Sequence, residues 1–269
     1  MSEQLIDGFG RIHTNLRISV TDRCNIRCFY CMPAENVQFM DRQELMTFEE
    51  IERFVRIAVP LGLTKIRLTG GEPLVKRGIV RLVGMIAAIE GLEHLAMTTN
   101  GTLLAPRARE LAEAGLDSVN VSLDTLDPAR YRELTRGGAI EDALAGIAAA
   151  RAAGLPVKLN MVVMEGGDPA EITRMREFAD GIDARVQLIN HYELFRKKGD
   201  TYAFDRPPEC AGCNRIRLTA DGMLKPCLHS DQEVPLDFSR LEESLRAAVD
   251  AKPLHGGTCT NRSMPQIGG

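Results

Sequence analysis

Three cysteines, Cys24, Cys28 and Cys31, stand within eight residues as C-x-x-x-C-x-x-C. Thiolates at that spacing wrap one side of a metal centre and leave the other side open. A structural zinc wants four ligands, and no fourth Cys or His lies nearby in sequence; three ligands on a four-iron cluster instead leave one iron free for chemistry. A zinc site completed from a distance and plain buried thiols remain the alternatives. A second group, Cys210, Cys213 and Cys227, is a C-x-x-C knuckle with a third thiol after thirteen intervening residues. That layout suits zinc or iron-sulfur equally, and His229 or Cys259 could complete a zinc site. Basic residues then appear in segments that otherwise read as buried strands: Arg17, Lys65, Arg67, Lys158, Arg215 and Arg217. Buried charge needs a partner, and phosphate suits guanidinium and ammonium groups. Strand parity puts Lys65 and Arg67 on one face and Ile66 and Leu68 on the other, and makes Arg215 and Arg217 a second facing pair. Taken singly, each is as ordinary as a solvated strand end, an internal ion pair or an arginine guarding a sheet edge.

The chain that must position these groups has 269 residues, 44% hydrophobic and 26% charged, which suits a large folded domain and excludes a disordered chain. No apolar run approaches the roughly 18 residues of a membrane span, and the N-terminus lacks a signal-peptide layout, so a cytoplasmic protein without membrane contact is expected. A net charge of -4 and no Trp argue against a nucleic-acid surface. Seven cysteines in a reducing compartment, six of them in two groups, read as metal ligation rather than disulfides.

Short β-branched or apolar runs recur at 16–20, 65–69, 94–98, 118–123, 157–163 and 185–189, each followed by an amphipathic stretch. Thr47 with Glu50 makes a capping box, Pro106 opens a helix that Gly115 stops, and another helix ends at Gly154. Six such units predict an α/β fold, an incomplete (βα)6 partial TIM-type barrel, with its site beyond the C-terminal strand ends. From Asn190 the pattern breaks into a linker, 192–209. A hairpin around Asp221-Gly222 follows, then a helix over 241–251 capped by Ser239 and Glu242. The expected division is a barrel over 1–190 and a small cluster-bearing region over 191–269.

The loop LRISVTDRCNIRCFYCMP resembles the cluster loop of the radical S-adenosylmethionine (SAM) superfamily. KIRLTGGEPLVK, TTNGTLL, NVSLDTLDP, PVKLNMVV, CNRIRLTADGMLKPCL and the terminal IGG resemble one family within it, the GTP 3′,8-cyclases that begin molybdenum cofactor (molybdopterin) biosynthesis. The resemblance implies two 4Fe-4S clusters, the first on Cys24, Cys28 and Cys31 and the second on Cys210, Cys213 and Cys227. It implies that Gly70, Gly71, Glu72, Tyr30 and Ser122 hold SAM, and that GTP is held by Arg17, Lys65, Arg67, Thr98, Lys158 and the segment Arg215, Ile216, Arg217. It further implies that Arg215 and Arg217 are needed for turnover, and that a Gly268-Gly269 tail enters the active site. The implied reaction converts GTP to 3′,8-cyclo-7,8-dihydro-GTP, with a reductant such as flavodoxin or ferredoxin and delivery of the product to the next pathway enzyme. The sequence is compatible with a homodimer.

Two departures stand out. The family carries an Arg and a Met after the sixth strand where this chain has Gln187, Asn190 and Tyr192, and a considerably longer stretch where this chain has the 192–209 linker. A paralogue with the same radical machinery, modifying a peptide or another nucleotide, is the rival enzyme reading. A non-enzymatic protein with two zinc sites is the other.

Overall fold

The computed structural model describes residues 4–164, 166–199, 203–204 and 209–268. Six strands alternate with helices through the first part: β1 Asn15–Ser19, α1 Phe48–Ala58, β2 Lys65–Thr69, α2 Ile79–Ala87, β3 His94–Thr99, α3 Ala108–Glu113, β4 Ser118–Ser122, α4 Pro128–Thr135, α5 Ile140–Ala152, β5 Val157–Val163, α6 Pro169–Gly181 and β6 Arg185–Asn190. Then follow β7 Arg215–Leu218, β8 Met223–Lys225, β9 Val234–Pro235, α7 Leu241–Asp250 and α8 Met264–Ile267. Strands β1 to β6 are parallel neighbours in chain order and curl as the expected partial barrel. Their alternate residues, such as Leu16, Ile18, Ile66 and Leu68, are buried in one core with Phe54, Val55, Leu82 and Val83 of the covering helices. That leaves the opposite parity, including Arg17 and Arg67, for the barrel interior.

Local chemistry explains the element ends. The Thr47 hydroxyl accepts from the Glu50 N–H while the Glu50 carboxylate accepts from the Thr47 N–H, so the capping box forms. Gly115 (φ +96°) and Gly154 (φ +79°) turn the chain through left-handed backbone after α3 and α5. Helix α3 starts at Ala108 rather than at Pro106. The expected cap of α7 does not form, because Asp237 takes both Ser239 donors, the N–H at 2.9 Å and the hydroxyl at 2.6 Å, and Arg240 occupies the N-cap.

The hairpin β7–β8 turns at Gly222 as expected. Strand β7 lies parallel to β1, so the sheet order is β6-β5-β4-β3-β2-β1-β7-β8-β9. The register places Arg217 opposite Arg17, and Arg17 opposite Arg67. Three arginines therefore share one row on adjacent strands, whose backbones lie about 4.8 Å apart. Among the described residues, no helix is long and apolar enough to cross a membrane.

Candidate active site

Two adjoining cavities occupy the barrel interior, and Thr98, Asn160, Ile189 and Tyr192 line both. Cys24, Cys28, Cys31, Tyr30, Gly70, Gly71 and Ser122 line the first. The cysteine loop folds back on itself, with Cys31 N–H donating to Cys28 O at 3.0 Å, and the loop after β2 packs directly beneath it. A Cβ on Gly71 would collide with the Arg23 carbonyl and one on Gly70 with the Thr21 carbonyl, so only glycine permits that approach. Glu72 does not line the cavity. Its buried carboxylate accepts from Leu74 N–H (3.0 Å), Thr99 Oγ1 (2.8 Å) and Asn100 N–H (2.7 Å), which fixes the loops after β2 and β3. Tyr30 donates its hydroxyl to Asp124 Oδ2 at 2.5 Å, and burial lifts Asp124 to about 6 against that bond and one from Val162 N–H.

Burial, then the charges of Cys24 and Asp124, pushes the Cys31 thiol up to about 12; burial, Asp124 and the two other thiols push Cys28 up as well. Three soft donors that oppose one another's ionisation are poor neighbours as free thiolates and good ones around a cationic cluster. The donor set, its open side and the glycine cradle fit a 4Fe-4S cluster and SAM.

Burial also raises Glu72, to about 7, so the folded chain holds its proton to higher pH than the unfolded chain does. Its contribution to stability is then fully present below about 4.5 and lost as pH rises through about 7. Relative to Glu72→Gln, the protein should lose up to about 3 kcal/mol across that window. Denaturant unfolding at pH 5 and pH 8 measures the difference; an equal gap at both pH values would contradict the assignment.

The second cavity holds the cations. Arg17, Arg67, Arg215 and Arg217 line it together with Cys210, Cys213, Cys227, Lys252 and His229. Burial, then the charges of Arg217, Arg215 and Arg67, holds Arg17 well below the usual arginine range. Such a row is a ready seat for a polyanion. Lys158 opens instead onto an adjoining cavity with Arg151 and Arg185, reached past Arg67 and Asn120, which line both. Lys65 departs from the expected set. Its side chain is 51% exposed at the start of β2 and pairs with Glu93 at 3.8 Å. The Ile216 side chain packs in the core, on the face opposite the two arginines.

The Cys210 sulfur accepts from Gly256 N–H at 3.4 Å, and Lys252 lines the cavity with all three thiols. Burial would push Cys213 up, yet the Lys252 charge and neighbouring N–H groups bring it below the usual thiol range. Donors of this kind suit iron-sulfur ligands. Cys259 is elsewhere, buried against Leu194 and Ile267, and does not complete a zinc site. Among the described residues, no three His, Cys, Asp or Glu converge on a single metal ion.

Gly268 is buried in the barrel, and its carbonyl accepts from Arg217 Nη1. Its φ is +78°, and a Cβ there would overlap Thr69 Oγ1. Gly268→Ala should therefore expel the tail and cut turnover about 10-fold or more, with faster amide exchange over 264–268. Unchanged exchange would show the tail to be unstrained. Gly269 lies outside the described residues. Sequence reading missed Lys252, Asn160 and Asp124. Lys252 carried no motif, whereas Asp124 and Asn160 sat inside recognised motifs without a chemical role.

The radical SAM superfamily model matches residues 18–179. A GTP 3′,8-cyclase of Peptoclostridium acidaminophilum is 40% identical over 98% of this chain and 98% of its own length; one of Heliobacterium modesticaldum is 38% identical over 98% and 100%. The chain belongs to the GTP 3′,8-cyclase family of radical SAM enzymes. Alignment with the Heliobacterium cyclase spans 327 positions against 269 residues here, so at least 58 are gaps in this chain. In fold, this cyclase-family chain is similar to Streptococcus suis SuiB bound to S-adenosylmethionine (TM-score 0.69, 17% identity, 91% of this chain and 68% of that one). It is also similar to methylornithine synthase (TM-score 0.58, 17% identity, 94% and 77%). A member of this family uses SAM with a 4Fe-4S cluster.

Proposed function

We propose that this chain converts GTP to 3′,8-cyclo-7,8-dihydro-GTP, the first step of molybdopterin biosynthesis. The observation that carries the reading is the row Arg217, Arg17 and Arg67 beside the cysteine cavity, with Thr98, Asn160 and Tyr192 on the shared wall. When bound, SAM and its cluster on Cys24, Cys28 and Cys31 supply the 5′-deoxyadenosyl radical that takes hydrogen from C3′ of GTP. Gly70 and Gly71 offer close backbone approach to SAM, and Tyr30 and Ser122 border it. Arg17, Arg67, Arg215 and Arg217 hold the triphosphate, with Lys158 at its outer end. Thr98 stands where ribose must meet the SAM side, and orientation there confines the reaction to one hydrogen. Cys210, Cys213 and Cys227, in the 191–269 region against the 1–190 barrel, would hold the second 4Fe-4S cluster, which would supply an iron for the guanine end of GTP. Flavodoxin or ferredoxin supplies electrons in a cytoplasmic setting, and the product passes to the next enzyme.

Anaerobic turnover of reconstituted protein with SAM, dithionite and GTP tests this, with 5′-deoxyadenosine and the GTP product followed by mass spectrometry. Both should appear together and depend on GTP. Gln187, Asn190 and Tyr192 at the cavity wall favour one second reading, a radical SAM paralogue acting on a peptide or other nucleotide. Formation of 5′-deoxyadenosine with GTP left intact would select it.

A further inference from the structure

Lys252, just past the end of α7, is 4% exposed, and its ammonium lies among the ligand loops of the second cysteine group. Nζ donates to Arg215 O at 2.7 Å and to Pro226 O at 2.6 Å, and Lys252 lines one cavity with Cys210, Cys213 and Cys227. The two carbonyls fix the ammonium beside the thiols. The two carbonyls belong to the residue two after Cys213 and the residue before Cys227, so one cation ties together both strands that carry ligands. The strap that follows is fixed as well. Gly256 N–H donates to the Cys210 sulfur, and Arg11, itself paired with Asp7 at 2.7 Å, holds Cys210 O (2.9 Å), Pro253 O (2.7 Å) and Leu254 O (3.2 Å).

We infer that Lys252 sets the reduction potential of the second cluster, as a positioning residue that holds one positive charge beside its ligand sulfurs. The inference rests on the second-cluster reading above. Adding one electron makes the cluster more negative, and a fixed buried cation favours that reduced state. Lys252 therefore makes the cluster easier to reduce. No proton need move, since the ammonium already carries three.

The test is potentiometry of the full chain carrying Cys24→Ala, Cys28→Ala and Cys31→Ala, so that only the second site can hold iron. Mediated dithionite supplies the electron, and electron paramagnetic resonance reads the reduced cluster. Iron analysis of this parent comes first: no iron would overturn the second-cluster reading itself. With iron present, Lys252→Gln should disfavour one-electron reduction about tenfold, a fall of about 59 mV in midpoint potential. Lys252→Arg keeps the charge but loses the fit to two carbonyls, and should keep most of the potential while losing stability. An unchanged potential in Lys252→Gln, an equal fall in both variants, or a glutamine variant that takes up no iron would each overturn the inference.

Discussion

Replacing Cys24, Cys28 and Cys31 together by alanine should abolish SAM cleavage, with 5′-deoxyadenosine falling by about 10³-fold or more. The three thiols are the donor set of the first cavity, and no other thiol among the described residues lines it. Folding should survive, because all three are half-buried on a loop after β1 rather than part of the core. A change within about 1 kcal/mol is expected for such positions. Single-turnover assays with SAM, dithionite and GTP, beside unfolding of wild type and variant, separate lost chemistry from lost fold. SAM cleavage at wild-type rate in a folded variant would place the radical chemistry elsewhere. The three Ala substitutions also remove the first iron site alone, so iron content should drop to that of the second.

Arg217→Ala carries the second large effect, a fall in GTP turnover of about 10²- to 10³-fold, the scale of losing one aligned charged donor in an enclosed site. Arg217 has two tasks. It extends the arginine row from β1 to β7, and its Nη1 fixes the Gly268 carbonyl. Its loss therefore weakens both polyanion binding and the closed tail. SAM cleavage should continue without GTP product, since Arg217 lies in the second cavity and not the first. Arg217→Lys should restore part of the GTP affinity but not the coupling, because one ammonium cannot reproduce a planar fork serving two partners. The ratio of GTP product to 5′-deoxyadenosine is the readout; a ratio unchanged in Arg217→Ala would show that the residue only packs.

The βα repeat was written in local signals. Alternating apolar residues, the Thr47–Glu50 box, and glycines at 115 and 154 act over a few residues, so six strands and the side of the sheet each residue faces were legible without tertiary knowledge. The same parity put Arg67 inside with Arg17 and set Ile66 and Leu68 against the helices. Spacing within eight residues also marked the first cysteine loop. What tertiary structure decided was non-local. Pairing of β7 with β1 joins residues 200 apart in the chain and is chosen by burial of the whole sheet edge, which no local window encodes. That pairing creates the arginine row and brings Cys210, Cys213 and Cys227 to the barrel. It also gives Lys252 its place. An isolated lysine after a helix looks like surface until the strands bearing its two carbonyl partners close around it.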